Sequence, residues 1–335
     1  MLKSRLCIAF FAFAVGCAPA QKPLTDYVNP MLGTATLWDS VDLGFKPTKR
    51  TWGAEVFPGS SLPNAMVQVS PVTKFHSGAG YQYEDSVIYG FTHTNKGHWN
   101  LCHIPLLPVT GTPTPGDYCS PFSHERESDA PGYYQVFLDR YGVDAQLSST
   151  LRCAFHKYTY PAGAAPAVLA DLQRSNEHVR AWDIRKEGDN VFAGWQQTGE
   201  KMYFYAVANR PVTGIEPVVE GDREVRIVRF GEGDGALELR IGFSFVSEKN
   251  ARENLEAEML GKSFAEVRSE ATATWNDLLG RIRVEGGTER EKGLFYSSLY
   301  RSFLWPALRS DVNGEFTDVD GKVINPGFRY YTGPS

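Results

Sequence analysis

The sequence runs to 335 residues with 7 Trp, 16 Tyr and 20 Phe, and its 34 basic against 39 acidic side chains leave a net charge of −5. A composition that is 42% hydrophobic can fill a large core, which excludes disorder, and at about 100–200 residues per domain the length corresponds to one large domain or two. A mildly acidic chain with no Lys/Arg-rich run lacks the field that phosphate backbones select, so nucleic acid is excluded as the main ligand and a membrane would be met only through an attached anchor.

In chain order, Lys3 and Arg5 precede an apolar run from Leu6 to Gly16 that is 11 residues long. A bilayer-spanning helix needs about 20 apolar residues, so residues 1–17 read as an export signal. Ala14-Val15-Gly16-Cys17 has the form of a bacterial lipobox. Cys17 would then be the lipidated first residue of the mature chain, holding a soluble domain in the periplasm or at the cell surface. Ala18-Pro19-Ala20 offers an ordinary cleavage site as the alternative, with plain secretion as its result. Cys102, Cys119 and Cys153 show neither zinc nor redox spacing. One disulfide among them is compatible with export, and buried free thiols are the expected state.

Residues 25–248 carry short β-rich segments between Gly, Pro and Asp turns: Ala65–Val69, Gly132–Leu138, Phe155–Tyr160, Ala167–Leu172, Met202–Val207, Glu224–Phe230 and Ala236–Phe245. Alternation such as Leu237-Glu-Leu-Arg-Ile241 puts apolar side chains on one face, as a half-exposed antiparallel strand requires. So many strands exceed a single open sheet, and a large antiparallel β-sandwich is the expected fold class, mainly β. Gly231-Glu-Gly-Asp-Gly235 reads as a turn between two strands and not as a nucleotide loop.

Over residues 249–287 the apolar period changes to three and four, and linker helices are expected at Ala251–Leu260 and Phe264–Leu279. Ser263 with Glu266 forms a capping-box pattern and Gly280 can end the second helix. A short strand is expected at Arg281–Glu285. A third helix is expected from Thr288 to Leu304, with Leu294, Phe295, Leu299, Phe303 and Leu304 as its apolar face and Pro306 as its stop. Asn313-Gly314 and Asp320-Gly321 are hairpin-type turns. One helix and two turns cannot bury their own apolar face, so residues 288–335 read as an interrupted domain that packs on the sandwich or belongs to a larger helical body.

Catalytic signatures are mostly missing: there is no Gly-x-Ser-x-Gly elbow, no Walker loop and no His-Glu-x-x-His helix. Asp311-x-Asn313 and Asp318-x-Asp320 have calcium-like spacing without the later Glu, and turn chemistry accounts for them. The segment Thr92 to His103 (THTNKGHWNLCH) differs, with three His, two Asn, a Lys and a Trp. Trp99 offers the flat face a pyranose prefers, while His93, Asn95, His98 and Asn100 offer donors and acceptors for hydroxyls, making these five the candidate substrate-binding residues. Two other readings stand beside it: a hydrogen-bonded loop with one core Trp, and a metal site on His98 and His103.

Ordered blocks along the chain carry a family resemblance. They are Tyr27-Val-Asn-Pro-Met-Leu-Gly-Thr34, Phe57-Pro-Gly59 with Met66-Val-Gln-Val-Ser-Pro71, Gly80-Tyr81-x-Tyr83-x-Asp85-Ser86 and Ile88-Tyr-Gly-Phe-Thr-His93. Pro131-Gly-Tyr-Tyr134, Asn250-Ala251 with Asn254-Leu255-x-Ala257-Glu258, Trp275-Asn276 with Leu279-Gly-Arg-Ile282, and Glu285-Gly-Gly287 continue the series. The sequence resembles glycoside hydrolase family 92, the exported bacterial α-mannosidases, from about Tyr27 to Ser335.

The resemblance implies an N-terminal β-sandwich, linker helices, and then an (α/α)6 helical barrel of which residues 288–335 are the incomplete start. It implies inverting hydrolysis of mannose-containing glycans such as N-glycans or mannan, with a calcium ion, a Glu acid and an Asp base. In the family these residues lie downstream of the block resembling Phe295-Tyr-x-x-Leu-Tyr-Arg301. No catalytic residue and no metal ligand is therefore expected in this chain, and the catalytic domain is its expected intramolecular partner. Many members have a Ser/Gly-rich loop where this chain has Asn95-Lys-Gly-His-Trp-Asn100, which points to a different linkage or leaving-group preference. The chain is read first as a fragment of such an enzyme, next as the product of a gene break, and last as a naturally short protein. The rival function is a stand-alone carbohydrate-binding β-sandwich lipoprotein.

Overall fold

The structure is a computed structural model that describes residues 22–37, 44–46, 56–96 and 99–332. The export segment with Cys17, and His98 of the candidate loop, lie outside the described residues. Two antiparallel sheets face each other. One has seven strands in the order Ser60–Ser61, Gln68–Val72, Gly90–Thr92, Leu106–Val109, Ala167–Ala170, Arg223–Phe230 and Val212–Glu220. The other has eight: Ala181–Gly188, Val191–Gln197, Lys201–Ala208, Leu237–Ser244, Cys153–Thr159, Val143–Ser149, Tyr133–Leu138 and Glu127–Ala130.

The alternating segments behave as their pattern requires. Leu237, Leu239 and Ile241 point inward beside Tyr134, Val136, Leu147 and Tyr158, and meet Val69, Phe91 and Leu107 of the opposite sheet. Burying a side chain of this size contributes about 1.5–3 kcal/mol, so this interior is the main source of stability. The Gly231–Gly235 turn does not join two neighbours in a sheet. It carries the chain from Arg223–Phe230 in the seven-stranded sheet to Leu237–Ser244 in the eight-stranded one, so it is a crossover at the sandwich edge.

Three α-helices follow among the described residues: α1, Glu248–Glu258; α2, Phe264–Leu279; and α3, Glu289–Ser302. Ser247 caps α1, and capping boxes open α2 (Ser263 with Glu266) and α3 (Thr288 with Glu291). Helix α1 lies directly on the outer face of the eight-stranded sheet at Gly242. A Cβ there would stand 2.1 Å from the Ala251 carbonyl oxygen and 2.8 Å from the Leu255 Cβ. Gly242→Ala is therefore expected to cost about 3 kcal/mol, because the obstacle is helix backbone and cannot rotate away. A urea midpoint equal to that of the parent would refute this.

Helix α2 buries Phe264, Val267, Ala271, Trp275 and Leu279, with Leu278 partly buried beside them, and the Trp275 indole donates to the Ser61 carbonyl at 2.8 Å. Arg281–Glu285 forms no strand but a turn and an extended link. Of the face expected for α3, Leu304 is buried just past the helix and Phe295, Leu299 and Phe303 are partly buried against the same cluster, while Leu294 is 42% exposed; the helix residues buried most deeply are Tyr296, Ser297 and Tyr300. Their partners explain why these three lie at the centre. Tyr296 meets Tyr27 at 5.6 Å and Tyr300 meets Trp275 at 4.4 Å between ring centroids, and Asn29 N–H donates to the Ser297 hydroxyl at 2.9 Å. A surface of aromatic rings and backbone donors suits tyrosine and serine better than leucine.

Residues beyond α3 pack on the sandwich. Gln68 donates to the Leu304 carbonyl at 2.6 Å, Asn64 donates to that of Pro306 at 2.8 Å, and Leu308 enters the main core. The Asp320-Gly321 turn joins the two-stranded hairpin Phe316–Thr317 and Val323–Ile324, and Asp318 accepts from the Asp320 and Lys322 N–H groups, which is turn chemistry.

A buried polar junction pins this segment. The Asp311 carboxylate accepts from Asn254 at 2.7 Å, from the Ser244 hydroxyl at 2.6 Å and from Asn250 at 2.9 Å. Arg152 donates to the Ser310 carbonyl at 2.8 Å and pairs with Glu258 at 2.6 Å. The Asn250 to Glu258 block of α1 thus ties sandwich, helix and C-terminal segment together.

Candidate functional site

The candidate loop links Gly90–Thr92 to Leu106–Val109 and forms a small hairpin, Asn95–Lys96 paired with Trp99–Asn100. Its five candidate residues separate into different roles. Asn100 is fully buried. Its side-chain oxygen accepts from Cys102 N–H at 2.8 Å and its amide donates to the Ser70 hydroxyl at 2.8 Å, so it fixes the base of the hairpin. His93 is fully buried too, with Nε2 at 3.0 Å from Nε2 of His156, whose Nδ1 lies 2.5 Å from the Tyr158 hydroxyl. Burial pulls the His93 pKa down to about 3 and moves His156 in the same direction, so both rings are neutral. Neither His93 nor Asn100 offers a surface to a ligand in this conformation.

Asn95 and Trp99 face outward regions. Trp99 is 47% exposed. Asn95 is almost buried, yet it lines a cavity of about 290 Å³ with Lys96, Glu200, Trp305, Arg309 and Tyr330. Its side-chain oxygen is buried and has no hydrogen-bond partner among the described residues. Opposite it, Arg309 pairs with Glu200 and lies 3.5 Å over the Phe245 ring. Burial draws the Arg309 pKa down and the Glu200 charge opposes that shift.

His103 has both ring nitrogens engaged: Nδ1 at 2.9 Å from the Thr94 hydroxyl, and Nε2 at 3.1 Å from Glu177 and 3.0 Å from Thr198. These bonds, led by that from His103, hold the Glu177 carboxyl down at about 2. The ring therefore has no lone pair to offer a metal. Cys102, Cys119 and Cys153 are free thiols; two are buried, with raised pKa values from burial, and Cys119 is half-buried, which corrects the expectation of three buried thiols.

Sequence reasoning found the hairpin through its local density of His, Asn and Trp. Glu200, Arg309 and Tyr330 gave no such signal, since they reach the cavity from segments more than 100 residues away. Chemically the cavity is a polar cradle. Its one carboxylate, Glu200, is neutralised by Arg309, whereas glycoside hydrolysis canonically needs an acid and a base or nucleophile.

Comparison with known proteins decides the family. Residues 27–254 match the model of the glycosyl hydrolase family 92 N-terminal domain, and residues 250–335 match the glycosyl hydrolase family 92 catalytic domain. The chain belongs to glycosyl hydrolase family 92. A family 92 α-mannosidase structure from Bacteroides thetaiotaomicron is 26% identical with a TM-score of 0.83, covering 93% of this chain and 45% of that one. A family 92 inverting mannosidase from the same species is 23% identical, with a TM-score of 0.76, covering 92% and 44% of the two chains. An uncharacterized secreted glycosidase of Arthroderma benhamiae is 24% identical over 86% of this chain and 42% of its own length. This family 92 chain therefore spans less than half the length of these relatives. Its β-sandwich and following helices match the fold of the family 92 structures.

Proposed function

We propose that the chain is the N-terminal half of an exported α-mannosidase that cleaves α-mannosides of N-glycans or mannan with inversion, assisted by calcium. The observation that carries this reading is the likeness to a 26% identical family 92 α-mannosidase over 93% of the chain, sandwich and catalytic-domain start together. The same Bacteroides thetaiotaomicron α-mannosidase is also seen in complex with mannoimidazole, which supports a mannose-containing ligand. Export is supported by the apolar run of residues 6–16 and by the secreted Arthroderma relative, and the lipobox reading adds anchoring through Cys17.

In this reading Trp99, exposed on the hairpin, stacks on a sugar ring, and Asn95 shapes the wall of the cavity. The chain's own residues bind and orient but do not cleave, because Glu200 is held by Arg309 and has no partner carboxylate in the cavity. Calcium would supply charge to distort the bound mannose. The Asp311 carboxylate is already committed to Ser244, Asn250 and Asn254. No group of three metal-ligating side chains occurs among the described residues, so these residues do not fit the ion.

The test uses the product of a reading frame that continues past the codon for Ser335. It is expected to release mannose from an α-mannoside with β-mannose as the first-formed anomer, and to lose activity with a chelator. An α-anomer as first product would overturn inversion, and full activity in chelator would overturn the calcium requirement. A second reading, a stand-alone glycan-binding lipoprotein, is favoured by the exposure of Trp99. It requires that the chain alone binds an α-linked mannobiose and that Trp99→Ala removes the binding.

A further inference from the structure

The chain enters the fold at a fixed point beside the start of α3. Leu24 and Val28 are buried in one cluster with Trp275 and Tyr296, and the Thr25 N–H donates to Asn276 at 3.0 Å. Lys22 lies 4.1 Å over the Tyr27 ring and donates at 3.4 Å to Glu289, in the first turn of α3. Cys17 precedes Lys22 by five residues. Five residues reach at most about 18 Å when fully extended, whereas a folded chain of this length is about 50 Å across. A lipid on Cys17 would therefore hold Lys22 within that reach of the headgroups and turn this side of the fold to the bilayer. From the reach, and from what surrounds Lys22, we infer that the link 281–287 and the start of α3 form a surface that lies on an anionic bilayer, a placement that rests on the lipobox reading of Cys17.

Printed contacts lead from Lys22 to the link without a gap. Tyr27, under Lys22, meets Tyr296 at 5.6 Å between ring centroids, and the Tyr296 hydroxyl donates to the Ile282 carbonyl and accepts from the Val284 N–H, each at 3.3 Å. These bonds fasten the backbone of the link to the fold while the Ile282 side chain stays 49% exposed between Arg281 and Arg283. An aliphatic side chain flanked by two guanidinium groups suits a bilayer interface, where the first enters the boundary between headgroups and acyl chains and the others meet lipid phosphates.

Charge favours the same side. From Arg281 to Lys292 the sequence holds four basic and three acidic side chains, whereas the whole chain carries −5. Anionic lipid thus repels this stretch less than it repels the rest of an acidic surface. One isoleucine and a small basic excess do not bind a membrane unaided. Beside an anchor they need only orient the fold, because the tether supplies a high effective concentration of lipid surface.

The test uses the acylated chain, extracted from membranes and reconstituted on vesicles of phosphatidylethanolamine and phosphatidylglycerol. A Cys119→Ser background allows a fluorophore to be placed at Ile282→Cys or, as the control, at Asp234→Cys. The Asp234 turn leads to Leu237, which pairs with Tyr158, whereas Trp275 of α2 donates to Ser61 next to Ser60 and Ser149, which lie at the Ala154 end of the same strand. A lipid carrying a nitroxide on its headgroup is expected to quench the probe at 282 about threefold more than the probe at 234. Inserting about twenty Gly and Ser residues after Gln21 is expected to bring the two sites close to equal. Equal quenching with the native tether, or stronger quenching at 234, would overturn the lipid-facing surface, and quenching at 282 undiminished by the insertion would overturn the part played by the short tether. A chain that does not float with the vesicles and carries no acyl group on Cys17 by mass spectrometry would overturn the lipobox reading and this placement with it, so the two failures are distinguishable.

Discussion

Asp311→Ala is expected to lower stability by about 3–5 kcal/mol, the cost of leaving buried polar groups without their partner. The carboxylate is 2% exposed and three side-chain donors converge on it: Asn254, Ser244 and Asn250. Burial pushes its pKa upward, and the bonds from Ser244, Asn254 and Asn250 pull it back. Removing it strands these donors at the place where α1, the sheet and the C-terminal segment meet. Asp311→Asn keeps the shape but turns an amide donor toward other donors, and is expected to cost less, about 1–3 kcal/mol. Urea unfolding monitored by tryptophan fluorescence checks both. A loss below about 0.5 kcal/mol for Asp311→Ala would mean that the junction is not what holds the segment in place.

Stability is also expected to fall steeply as pH drops below 6.5. His93 and His156 are buried as a neutral pair, and their folded pKa values lie below the ordinary 6.5, at about 3 for His93. The sign follows from proton uptake. Above 6.5 both rings are neutral folded or unfolded, so nothing depends on pH. Below it the unfolded chain binds protons that the folded chain cannot, and stability falls until the folded pKa is reached. The slope is about 1.4 kcal/mol per pH unit for each ring, or nearly 3 for the pair. Asp129 acts in the opposite sense, because burial raises its carboxyl well above the ordinary 3.8 and the folded state takes up that proton first, so it offsets part of the histidine slope. The histidine contribution is therefore read between pH 6.5 and about 5 as the difference between parent and variant. His156→Gln is expected to remove about half of the slope, and an unchanged urea midpoint across this range would contradict the buried neutral pair.

The strands with strict alternation were legible from sequence because one face meets the core and the other meets water. Lys201–Ala208 alternates throughout, and Leu237–Ser244 does so over its first half, beyond which α1 covers its outer face at Gly242. Val212–Glu220 was not legible, since it holds Gly214 and Pro217. It tolerates them as the edge of its sheet, with a register shift between Val212 and Gly214. The expected face of α3 included exposed Leu294 and missed Tyr296 and Tyr300, because leucine and phenylalanine spacing ignores what lies opposite, and opposite lie Tyr27 and Trp275. At the site, the hairpin was found through its composition. That His93 and Asn100 serve as scaffold depends on Ser70 and His156, which are distant in sequence, and residue density says nothing about which way a side chain points. The block from Asn250 to Glu258 was visible as a motif, but its part in holding Asp311 depended on a contact some sixty residues away.

Mannose release from an α-mannoside by purified residues 18–335 is the most direct test of the central claim, that this chain orients substrate without cleaving it. No release above a buffer control is predicted, alongside calcium-dependent release by the product of a continuing reading frame. Release by 18–335 alone would contradict the account, because Glu200, held by Arg309, would then have to act without a second carboxylate.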